Sequence, residues 1–181
     1  AVSELIPALG ALGTGGALND AFRLVTITHV NIGEPTFGIA PGLAKIHATL
    51  RTAADDTMGA ISADARALAE NAAAKFGLSV EFEVCDTFAA SINHPDATAI
   101  ARHALETLKI PHGEHAIPMR ASEDFGVFGW GAKAAMLCLG AGPNHAALHN
   151  PDYDFPDDLI PIGAAIFNQI ARDLLSTAAK G

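Results

Sequence analysis

The sequence predicts a mixed chain in two parts: an α+β sandwich over residues 1–90 and an α/β half over residues 91–181. Three observations carry this. Two strand-like runs precede a long helical stripe, and a third strand-like run follows it. The pattern changes near residues 89–94, after which two helical stretches flank a short, continuously apolar run. Half of the 181 residues are apolar, which favours a packed core over disorder.

Taken in order, residues 1–12 read as the end of a helix, closed by Gly13, Gly15 and Gly16. Residues 23–31 (RLVTITHVN) are rich in β-branched side chains and alternate, as a strand does. A Pro/Gly loop spans 33–42. Residues 43–51 (LAKIHATLR) set Ala44, Ile46, Ala48 and Leu50 on one face, predicting a second strand with one apolar side. Asp55 or Asp56 is the expected cap of a helix over 57–76. Its buried stripe is Met58, Ile61, Ala65, Leu68, Ala72 and Phe76, with Gly77 just past its end. Residues 78–87 (LSVEFEVCDT) alternate as a third strand. The order strand–strand–helix–strand, preceded by a helix, is that of an α+β sandwich lacking its first strand.

In the second half, Pro95 fits the first position of a helix to about Leu108, with Ile100, Ala104, Leu105 and Leu108 inward. Residues 116–119 are expected to form a short strand, and Ser122 to cap a short helix through Phe128. Residues 134–139 (AAMLCL) read as a strand covered on both faces. A last helix over 159–175 carries Ile162, Ile166, Ile170 and Leu174 as its stripe. No internal repeat or low-complexity segment interrupts this plan.

A formal charge of −9, with no Lys/Arg cluster to offset it, argues against nucleic acid as a partner. No apolar run approaches the length of a membrane span. Cys85 and Cys138 lie in the two apolar runs, so two reduced, buried thiols in a reducing cytoplasm are expected. The first residues show no signal-peptide pattern. The chain opens abruptly in helical sequence, AVSELIPALGAL, and is expected to begin inside a longer protein.

Eight histidines are many for this length. His29 and His47 in strands, His103 in a helix, and His112 and His115 in a polar loop read as ordinary structural or surface residues. His149 differs. It follows an apolar run and the glycine loop Gly140-Ala141-Gly142-Pro143-Asn144, and Asn150, Asp152, Asp154 and Asp157 come just after it. A strand end followed by a glycine loop is where α/β enzymes present reactive groups. Neutral imidazole suits zinc, and nearby carboxylates can fix its tautomer. On chemistry alone a ligand and a surface histidine are equally good readings. A hydrolytic zinc site needs at least three protein ligands. No HExxH, HxH or cysteine pair is present; His145, four residues before His149, is a candidate partner, but a Gly/Pro loop gives no reason to expect helical spacing. The adjacent acids Glu123 and Asp124 read locally as helix-start devices.

Three segments taken together resemble the di-metal amidohydrolase and metallopeptidase family that includes hippurate hydrolase, N-acyl-amino-acid amidohydrolases, auxin-conjugate hydrolases and aminoacylase. They are Met119-Arg120-Ala121-Ser122-Glu123-Asp124-Phe125, Leu139-Gly140-Ala141-Gly142, and Leu148-His149-Asn150-Pro151-Asp152-Tyr153-Asp154-Phe155. Their order and spacing resemble the end of that family's catalytic domain, and residues 23–87 resemble its inserted lid. The resemblance implies an incomplete ferredoxin-like lid or dimerisation domain (1–90) and the C-terminal part of an α/β di-zinc hydrolase domain (91–181). It implies hydrolysis of the amide bond of an N-acyl amino acid or related small amide, in a homodimer formed through the lid. Two divalent ions, zinc or manganese, polarise the carbonyl and activate a water in such enzymes, with a glutamate as general base. That base and every metal ligand but the last lie upstream in the family, so this chain alone is expected to be inactive.

By position, the resemblance makes His149 the last metal ligand, Arg51 the lid arginine that binds the substrate carboxylate, and Gly140 and Gly142 part of the loop beside the substrate. Guanidinium suits a carboxylate because it is permanently charged and forms paired hydrogen bonds; a strand-end surface arginine is the equal alternative. The roles of Glu123 and Asp124 are left open. One departure stands out: Gly38, thirteen residues before Arg51, replaces an asparagine of the family's Asn-x-Ile-Pro segment, here Gly38-Ile39-Ala40-Pro41. Two readings compete with the hydrolase portion. They are a non-catalytic dimerisation or binding module derived from the same family, and a small binding protein unrelated to hydrolysis.

Overall fold

The two alternating, β-branched runs pair in the computed structural model as an antiparallel hairpin, β1 (Arg23–Ile32) with β2 (Ala44–Thr52). The structure describes residues 1–115 and 117–178, with backbone alone for 177 and 178. The register runs from Arg23↔Thr52 to Ile32↔Ala44 and shifts once between Ile27 and His29. Thr28 is the extra residue of that bulge, and its hydroxyl donates to the His47 carbonyl at 3.3 Å. Between the strands, Gly33 closes the loop through its N–H to the Leu43 carbonyl at 2.9 Å. Its φ is +56°, and a Cβ there would stand 2.8 Å from Cβ of Pro41, so glycine is required.

The described residues form two compact units, 1–90 with 118–122, and 91–117 with 123–181. In the first, α1 (Val2–Ala11) packs on β1, α2 (Asp55–Lys75) packs on β2, and the two helices touch. The core is Leu9, Phe22, Ile61, Ala69 and Ala73. Ile61, on the expected stripe, is 0% exposed, whereas Phe76 at its end is 44% exposed. Helix α2 ends as its sequence predicts: Gly77 takes φ +65°, and Leu78 and Gly77 donate backward to the Ala73 and Ala74 carbonyls. It does not begin as predicted. Ala54 holds the cap position, and the Asp55 carboxylate accepts instead from the Ala90 N–H at 2.7 Å.

The expected third strand, residues 78–87, is not formed. A strand needs a neighbour's N–H and C=O groups, and no backbone ladder reaches this segment among the described residues. Its alternation survives only as exposed side chains, Val84 being 66% exposed, while Phe82 lies under the Arg66 guanidinium at 4.6 Å.

The second unit is built on α3 (Pro95–Thr107) and α4 (Leu159–Ala178), which pack together around Ala101, Ala104, Leu105 and Ile166. Pro95 opens α3 as expected, and His94 caps it, Nδ1 accepting from the Asp96 N–H at 3.1 Å. Ile162 and Leu174 of the α4 stripe are exposed. The run 134–139 forms no strand either. The Asn93 side chain takes the place of a ladder, donating to the Met136 carbonyl at 3.1 Å and accepting from its N–H at 2.8 Å. Leu137 and Leu139 are exposed, so the run is not covered on both faces. Nor do residues 117–119 form a strand, and Ala116 lies outside the described residues. Cys85 and Cys138, expected to be buried, are both exposed and free, because the strands that would bury them are not assembled. No helix among the described residues is long and apolar enough to cross a membrane.

The Asp96 carboxylate also accepts from Lys133 Nζ at 2.6 Å. That hydrogen bond, and then the ammonium charge, hold its pKa below the ordinary carboxylate value. A depressed folded pKa stabilises the fold above the ordinary aspartate range, and the contribution is lost as pH falls through the depressed value. Lys133→Ala is expected to move the Asp96 midpoint upward in a carboxyl-carbon NMR titration; an unmoved midpoint would remove Lys133 as the cause.

Candidate functional site

Arg51 is the penultimate residue of β2, where the antiparallel register sets it opposite Leu24. The residue is half-buried, and its Nη1 donates to Ser122 Oγ at 2.6 Å. Among the described residues it has no acidic partner, in contrast to Arg23, which pairs with Asp64, and Arg102, which pairs with Glu114. A half-buried guanidinium without a carboxylate is open to an external anion.

Ser122 is therefore not the helix cap its sequence suggests. The turn that follows is a 3-10 helix, Asp124–Trp130, with Glu123 at the cap position and no side-chain cap bond. Ser122 belongs to the short segment 118–122 of the first unit. Arg120 fastens that segment there: its Nη2 donates to the Gly16 carbonyl at 3.0 Å, and its guanidinium lies 5.4 Å from the buried Phe22 ring. The partnership of Arg51 with Ser122 spans 71 residues, so no local pattern could signal it.

His149 lies in the second unit, exposed, at φ +71°. A side chain other than glycine costs roughly 1–2 kcal/mol in that region. A tight turn imposes it, the Asn150 N–H donating to the Ala147 carbonyl at 3.0 Å. Asp86 at φ +51° and Lys109 at φ +57° share that region, so the turn alone does not mark His149 as functional. His145 packs edge-on against Tyr153 at 5.2 Å, which gives it a structural place instead. Gly142 takes φ +101°, and a Cβ on Gly140 or Gly142 would meet nothing within 4 Å, so their backbone groups are open to approach. Among the described residues no three His, Cys, Asp or Glu side chains are grouped so that they could hold a metal ion. A surface cavity of about 220 Å³ between α1 and α2, lined by Glu4, Leu5, Leu68 and Lys75 among others, includes none of the site residues.

The family model of peptidase family M20/M25/M40 matches residues 5–173. The chain belongs to peptidase family M20/M25/M40. That is nearly its whole length, and it takes in both Arg51 and His149. Membership places it among metal-dependent hydrolases of the peptidase and amidohydrolase type. No solved structure matches it.

Gly38, where the resemblance expects asparagine, lies at φ +74° with open space around the site of a Cβ. Asparagine is one of the few other residues that tolerate this backbone region. An asparagine here would keep the loop conformation and add an amide. Gly38→Asn is expected to shift stability by less than about 1 kcal/mol. A larger loss in thermal unfolding would show that the loop itself excludes asparagine.

Proposed function

We propose that the chain is part of a metal-dependent amidohydrolase of this family that cleaves the amide bond of N-acyl amino acids or related small amides. Residues 1–90 supply the lid and a homodimer contact, and residues 91–181 the end of the catalytic domain. His149 supplies one ligand to a pair of divalent ions, zinc or manganese. Arg51 holds the substrate carboxylate, and the Gly140–Gly142 loop lies beside it. One histidine is too few for a hydrolytic metal centre. The reading therefore assigns the other ligands and the general base to residues outside these 181, and expects no turnover from them alone. It places the protein in the cytoplasm, where free thiols such as Cys85 and Cys138 persist.

The observation that carries this reading is the half-buried, acid-free guanidinium of Arg51 in a chain of this family. A carboxylate-bearing substrate is the anion that suits it. The direct test is the coding sequence upstream of Ala1. An H-x-D segment and a Glu-Glu pair are expected there; an upstream sequence with neither would sink the assignment.

A further inference from the structure

We infer that Ser122 is a positioning residue for substrate recognition, its hydroxyl fixing the Arg51 guanidinium for a ligand carboxylate. This deepens the carboxylate-binding role proposed for Arg51 and rests on it. Three features lead to it. Arg51 spends Nη1 on Ser122 Oγ at 2.6 Å, which leaves Nε and Nη2 without a partner among the described residues. Those two nitrogens form one edge of the planar fork, the edge that takes a carboxylate by two parallel bonds. Ser122 accepts from Arg51 and keeps its own O–H free, a third donor beside the same charge. Finally, Ser122 is not left to a mobile side chain's chance. Arg120, two residues earlier, ties the segment to Gly16 and Phe22 of the same unit.

A long arginine side chain loses rotamer freedom when it binds. A hydroxyl that holds the head group beforehand lowers that cost, and the ligand gains affinity without a new contact. The recognised class is any small N-acyl compound with a free carboxylate; the same compound with its carboxyl capped as an amide should lose the benefit.

The experiment uses the 181-residue chain and two probes, N-benzoylglycine and its C-terminal amide, with binding and the Arg51 Nε–H resonance followed by NMR. The free acid is expected to bind more tightly than the amide. Ser122→Ala should weaken the acid by up to about tenfold, the cost of ordering one rotamer-rich side chain on binding. It should also speed solvent exchange of the Nε–H and leave binding of the amide unchanged. Ser122→Thr, which keeps the hydroxyl, should restore both. If Arg51→Ala abolishes the preference for the acid while Ser122→Ala changes neither affinity nor exchange, the role of Ser122 is overturned and that of Arg51 stands. If the chain with Arg51 intact binds acid and amide alike, both fall.

Discussion

Ile61→Ala is expected to destabilise the first unit by about 2–5 kcal/mol, the range for removing a large aliphatic side chain from a closed core. Ile61 is the largest fully buried side chain among the described residues. It lies on α2, the helix that packs on both α1 and β2. The other buried positions of α2 are Ala69 and Ala73, which are too small to move into a cavity. Ile61→Val should cost only about 0.5–1.5 kcal/mol. Trp130 belongs to the second unit, so its fluorescence does not report this change directly. Far-UV circular dichroism in urea is the measurement to use. Equal midpoints for the alanine and valine variants would contradict the packing described.

Substitution of His149 is expected to separate stability from function. The residue holds φ +71°, a backbone region that glycine occupies without strain. His149→Gly should therefore raise stability slightly, by up to about 1 kcal/mol. His149→Ala keeps the strain and should not. Both remove the imidazole, and both should lose metal in the protein extended upstream of Ala1. A functional residue retained at a stability cost behaves in this way. If His149→Gly were less stable than His149→Ala, the left-handed turn would not be the native conformation.

What the sequence shows clearly is what neighbours along the chain decide. The proline that opens α3 and the glycine that closes α2 act within a few residues, and each stands where the pattern sets it, whereas of the expected α2 stripe only Ile61 is buried, beside Ala69 and Ala73. Residues 78–87 and 134–139 have strand composition, but a strand exists only with a partner, and partners are distant in sequence. The thiols of Cys85 and Cys138 are exposed because the runs that carry them form no strand. Asp55 and Ser122 have the chemistry of helix caps, yet Ala90 and Arg51, 35 and 71 residues away, engage their side chains. Of the candidate site, it is the family resemblance that assigns roles to His149, Arg51 and the glycine loop. The sequence holds no sign of the left-handed backbone at His149 or of the bond from Arg51 to Ser122.

The most direct test of the central claim is the metal content and the rate of N-acyl-amino-acid hydrolysis of the protein extended upstream of Ala1, with His149 and with alanine in its place. The account predicts stoichiometric divalent metal and turnover for the first. For the second it predicts loss of metal, with a fall in rate beyond the roughly 10–100-fold caused by removing a group that merely supports a ligand. Unchanged metal and rate in His149→Ala would contradict it.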